Sequence, residues 1–173
     1  MARLYNGLKH WWMRGLAEQE NLVADKNKSA VEKFKEKLRW KDNEKWFDCG
    51  DVGLLIYAVG SDEPNVVREL LQELKQSFKG VEYTRRLESR LRNKGYITLG
   101  IPGRVTTLMI SMMLASPVVV SMLLEFGANV QNVDVMGNDA LMLASAFGRP
   151  DNLKFWLQRV KKYDLECRNV VLG

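Results

Sequence analysis

The chain repeats itself at a fixed interval, and that interval limits its folds more than any other feature. Leu108 and Leu141 lie 33 residues apart, and so do Ser111 and Ala144, and Pro117 and Pro150. The repeated unit begins near Gly103 and again near Gly137, and each copy holds two short apolar stretches separated by Ser-Pro or Arg-Pro. A period in the range of 20–50 residues marks a stack of like units, each burying its apolar face on the next. A proline opening the second stretch suits the first turn of a helix, where the missing amide is no loss. Each unit is therefore expected to be a turn followed by two helices.

A third, earlier copy fits the same register. Leu54, Leu55 and Ala58 mark its inner helix, and Pro64, Val66, Val67, Leu70 and Leu71 its outer helix. Asp48 through Gly50 reads as the preceding turn. Leu55 precedes Leu70 by 15 residues, as Leu108 precedes Leu123. Leu55 and Leu108 are 53 apart, so about 20 extra residues enter between the first copy and the second. Leu74 and Phe78 extend the apolar stripe and predict a longer outer helix.

The best-formed element is Leu123-Leu124-x-x-Gly127-Ala128-Asn129-Val130, followed by Asp134. With the 33-residue period, this run resembles the ankyrin-repeat family over about Asp48 to Asn169, interrupted by the insertion. The family's Thr-Pro-Leu-His turn is eroded to Gly53-Leu54-Leu55-Ile56, Thr106-Thr107-Leu108-Met109 and Asp139-Ala140-Leu141-Met142. Only the Leu persists. With no His to bridge the turns, apolar packing is expected to replace that network or leave it weaker. The resemblance implies an all-α chain: a short ankyrin-type solenoid of about three repeats over 48–173, with N-terminal amphipathic and capping helices over 1–47. It also implies a non-enzymatic protein-protein interaction module that docks a partner along the inner helices and turns.

The insertion, 77–102, carries most of the net charge of +5: Lys79, Arg85, Arg86, Arg90, Arg92 and Lys94 against Glu82 and Glu88. Thr84 is expected to cap a short helix there, with Leu87 and Leu91 on one face and Gly95 ending it. Such a cluster steers toward an acidic protein surface, and Arg85, Arg86, Arg90 and Arg92 are the candidate partner-binding residues. The alternative is a nucleic-acid- or ribosome-associated subunit, with the arginines on phosphates and Tyr83 and Tyr96 stacking on bases.

The first 17 residues hold no acid and place Leu4, Leu8, Trp11 or Trp12, and Leu16 along one helical face. Three roles are open to this segment: packing on the repeats or on a partner, a mitochondrial-type address, or peripheral contact with a membrane surface. Trp11 and Trp12 are the candidate apolar anchors. Ser29-Ala-Val-Glu32 is a capping box, and Val31, Phe34 and Leu38 follow it at helical spacing. Trp40, Trp46 and Phe47 are expected to dock this helix as an end cap. The apolar stub Val170-Val171-Leu172 closes the chain without a further repeat to cover. These features point to an accessory or scaffold subunit of a larger, possibly mitochondrial, multiprotein complex.

Other chemistry is sparse. His10 is the single histidine, and Cys49 and Cys167 are too few for a disulfide framework; an intracellular setting fits that usage. No metal constellation, phosphate loop or nucleophile motif stands in the sequence, and no cofactor is expected. No apolar run approaches the roughly 18 residues that span a bilayer. Asp48 and Asp51 suit turn capping better than catalysis. The methionines at 109, 112, 113, 122, 136 and 142 are expected to fill the core, with some free to line an adaptable face.

Overall fold

The computed structural model describes residues 28–39, 50–88 and 104–161. Trp11, Trp12, Arg90, Arg92, Leu91, Gly95, Tyr96, the Trp40–Phe47 cap, the boundary at 47/48 and the C-terminal stub lie outside the described residues. All the regular secondary structure described is helical, so the chain is all-α there.

Helix α1 (Ala30–Arg39) opens on the expected capping box. The Glu32 amide donates to Ser29 Oγ at 3.1 Å, and the Ser29 amide donates to Glu32 Oε2 at 3.0 Å. Val31 and Phe34 are buried on one face. The helix packs on α3 (Pro64–Ser77), whose Glu69 accepts from the Ala30 and Val31 amides at 3.2 and 3.1 Å. A carboxylate there answers two orphan donors and the positive end of the helix dipole at once.

Helix α3 is the second of a pair with α2 (Gly50–Gly60). Gly50, placed in the preceding turn by the sequence, is already helical. The apolar stripe of α3 runs on to a buried Leu74, which accounts for its extra length. Two further pairs follow: α5 (Thr107–Leu114) with α6 (Pro117–Glu125), and α7 (Ala140–Ala146) with α8 (Pro150–Arg159). Each second helix starts with proline, as expected. The first helices lie side by side in the order α2, α5, α7, and the second helices in the order α3, α6, α8. One continuous core, with Leu71, Leu123 and Trp156 fully buried, joins the two rows.

Backbone geometry explains the Leu123-to-Val130 motif. After α6, the Ala128 amide donates to Leu123 O at 3.0 Å and the Gly127 amide to Leu124 O at 3.1 Å. That is a Schellman ending, which needs a left-handed residue where Gly127 stands at φ 90°. Helix α7 ends likewise, with Gly148 at φ 64°. Helix α2 ends the same way on a non-glycine, Asp62, at φ 57°. The residue in register on α5 is Ala115, and its φ of −91° forms no such turn. The end of α5 is instead capped by neighbouring pairs.

Helix α4 (Gly80–Leu87) is the described part of the insertion. It begins earlier than the sequence suggests. Thr84 is not its cap but lies inside it, with its hydroxyl donating to Gly80 O at 3.3 Å. The cap position is Lys79, which provides no side-chain bond. The early start is set by packing: Tyr83 and Leu87, four apart, form the inward face, and Leu87 is buried.

Candidate interaction surface

Helix α4 is clamped to the body of the protein at both ends. Tyr83 donates its hydroxyl to Phe126 O at 2.6 Å. Glu88 accepts from the Asn129 amide at 2.6 Å and from Asn132 Nδ2 at 2.5 Å. Both anchors sit on the segment that follows α6, so the insertion leaves the first pair and seats itself on the second. Beneath it, Lys75 lies 5.5 Å from the centroid of the Phe126 ring.

The two described candidate arginines meet different fates. Arg85 is 72% exposed and forks onto Glu82, with Nε to Oε2 and Nη2 to Oε1 both at 2.9 Å. Arg86 is 28% exposed; its Nε donates to Glu82 Oε1 at 2.7 Å, and its guanidinium lies 3.9 Å from the centroid of Phe78. Arg86 therefore cements α4 to the end of α3 by a cation–π contact, while Arg85 is presented to solvent. Hydrogen bonds from Arg85, and then from Arg86, hold the Glu82 carboxyl below its usual range. The same pairing raises the pKa of Arg85. Burial pushes the Tyr83 phenol above the usual tyrosine value.

Two apolar features that the sequence did not single out join this surface. Val81 is 85% exposed and lies four residues before Arg85, on the same helical face. In the loop between α6 and α7, Val133, Val135 and Met136 are exposed while Asp134 between them is buried. Asp134 Oδ1 accepts from the Met136 and Asn138 amides at 2.7 and 2.9 Å, and Oδ2 accepts from Asn138 Nδ2 at 2.9 Å. A rigid turn thus holds the apolar groups outward. The alternation from Val133 to Gly137 is its trace in the sequence, obscured because Met136 stands among methionines that mostly fill the core.

Two expectations need correction. Docking along the inner helices finds no surface on the middle one, because every residue of α5 is buried, none above 2% exposed. Its apolar groups run all the way round, so no side of it suits water. Base stacking by Tyr83 is ruled out by its hydrogen bond to Phe126 O and by its packing against the core. Among the methionines, Met109, Met112, Met113 and Met122 fill the core, whereas Met136 is exposed and Met142 half-buried.

Among the described residues no cluster of His, Cys, Asp or Glu is placed to hold a metal ion. No described helix is long and apolar enough to cross a membrane. Comparisons with protein-family models, curated proteins and solved structures gave no match.

Proposed function

We propose that the chain is a divergent ankyrin-type helical solenoid acting as a non-enzymatic protein-binding module, an accessory or scaffold subunit whose partner presents an acidic surface. The 33-residue period and the succession of three helix pairs support the fold reading. The observation that carries the functional reading is the clamping of α4. Tyr83, Glu88 and Arg86 fix a short basic helix that would otherwise fray, and they leave Arg85 and Val81 pointing outward. A preordered cation beside an apolar group loses little conformational freedom on docking and guides an acidic partner. The neighbouring Asp134 turn offers a second rigid apolar contact. A mitochondrial setting rests on the acid-free segment 1–17 alone.

The test is recovery of the full chain from its native extract, beside a variant carrying Arg85→Glu, Arg90→Glu and Arg92→Glu. Arg86 is left in place because it holds Phe78. One defined protein assembly, lost on charge reversal, is the expected result. An assembly recovered equally with both chains overturns the role of the insertion. Recovery of RNA in place of protein overturns the reading in favour of nucleic-acid binding.

A further inference from the structure

Helix α5 raises the question of what lies against its fourth side. A helix inside a two-row array has neighbours on either flank and one behind. For α5 these are α2, α7 and α6. The side facing away from the second row has no comparable partner among the described helices. Yet Thr107 to Leu114 are all buried, none above 2% exposed. Helix α2 repeats the pattern: Leu55, Ile56, Ala58 and Val59 are all buried. From Gly53 to Gly60, and throughout α5 and α7, there is no charged residue. The free side of this row is thus an apolar strip that needs a cover of matching character.

We propose that residues 1–17 of this chain are that cover, lying as an amphipathic helix along the free side of α2 and α5. Four features favour this segment. Its stripe of Leu4, Leu8, Trp11, Trp12 and Leu16 spans twelve residues, about 18 Å of helix, close to the roughly 16 Å of the eleven-residue α2. It contains no acid, so no carboxylate would be desolvated against the strip. The polar stretch 18–27 reaches up to about 33 Å when extended. The described chain begins at Lys28 beside α3, and packed helix axes lie only about 10 Å apart. The other segments fit less well. Residues 40–49 interleave five charges and are taken up in joining α1 to α2. Residues 89–103 carry Arg90, Arg92 and Lys94 and are broken by Gly95, Gly100 and Pro102. Residues 162–173 follow α8, in the other row.

The consequence is functional. The face of the inner row is filled by the chain's own segment, so Trp11 and Trp12 are internal anchors. Partners are left with the insertion and the loop tips, a division that holds whichever partner binds there.

The experiment places the photo-crosslinker p-benzoylphenylalanine at position 12, in place of Trp12, in the full chain, with a control in place of His10 on the opposite helical face. Irradiation and peptide mapping should join position 12 to a peptide of α2 or α5 within the same molecule, and should show no such product from position 10. Crosslinks from position 12 to the second row, to 89–103 or to a second copy of the chain would overturn the proposal, as would none at all. As a second readout, Leu8→Glu with Trp12→Glu should increase binding of a dye for exposed apolar surface and speed amide exchange in α5. Unchanged exchange there overturns it independently.

Discussion

Asn152 offers the sharpest handle on how the helix pairs are joined. It is fully buried on α8 and donates Nδ2 to three carbonyls at the end of α5: Ser111 O at 3.3 Å, Met112 O at 3.1 Å and Ala115 O at 3.0 Å. Two of these have another donor. The Ala115 amide serves Ser111 O at 2.9 Å, and Arg149 Nη2 serves Ala115 O at 2.5 Å. Met112 O is the carbonyl that leans on Asn152. Asn152→Leu keeps the volume and the burial but strands that carbonyl. The loss is the bond plus the desolvation of an unpaired acceptor, about 1–3 kcal/mol. It is offset slightly because Asn152 Oδ1 has no partner of its own. Asn152→Ala adds a cavity and should cost about 2–4 kcal/mol, or roughly 5–10 °C in melting temperature. Urea unfolding followed by helical circular dichroism measures both. A leucine variant as stable as the parent would refute the capping role, and so would an alanine variant no worse than leucine.

Asp62 accepts from the Ser116 amide and hydroxyl, both at 2.8 Å, while standing at φ 57°. Asp62→Ala loses these bonds and places a Cβ-bearing residue without local hydrogen bonding in a left-handed site, so about 2–3 kcal/mol is expected; Asp62→Asn should stay within about 0.5 kcal/mol of the parent in the same urea assay. Combining Asp62→Ala with Asn152→Ala should depart from additivity by about 0.5 kcal/mol or more, because both side chains hold the Ala115–Ser116 turn. Glu88→Ala should release α4 from Asn129 and Asn132, read as faster limited proteolysis within 80–88 with the rest of the chain unchanged. Glu82 has a depressed folded pKa, so its contribution is present above the ordinary glutamate value and is lost as pH falls through the folded value. An NMR titration should place its midpoint below that of an unpaired glutamate, and Arg85→Ala should return it most of the way.

Features carried by neighbours in the chain are legible in the sequence. The prolines opening α3, α6 and α8, the Ser29–Glu32 box and the length of α3 all follow from local stereochemistry and helical spacing. What escapes depends on distant residues. Asn152 meets carbonyls 37 to 41 residues away and Asp62 meets Ser116 across 54, so no window of sequence contains either pair. Thr84 looks like a cap because threonine favours caps, but the packing of Tyr83 and Leu87 sets the helix start further back. Arg85 and Arg86 are equivalent as letters. They differ in the fold because Phe78 lies under only one of them.

The eroded family turn is compensated by other bonds. At the start of α5, Thr106 Oγ1 accepts from the Met109 amide at 3.3 Å while the Thr106 amide meets Met109 Sδ at 3.4 Å. Met109 thus completes the cap and is itself fully packed, an apolar substitute for a bridging polar side chain. At the start of α7, Asp139 caps Met142 at 2.8 Å. These caps serve single helices and do not tie one pair to the next. The ties lie at the opposite end of the first-row helices, where Asp62 reaches forward to Ser116, and Arg149 and Asn152 reach back to residues 111–115. The middle turn, alone of the three in lacking a left-handed residue, is held from both sides. Its backbone needs are met only when the first and third pairs are in place. That dependence, more than burial of any one helix, makes the three pairs stand or fall together.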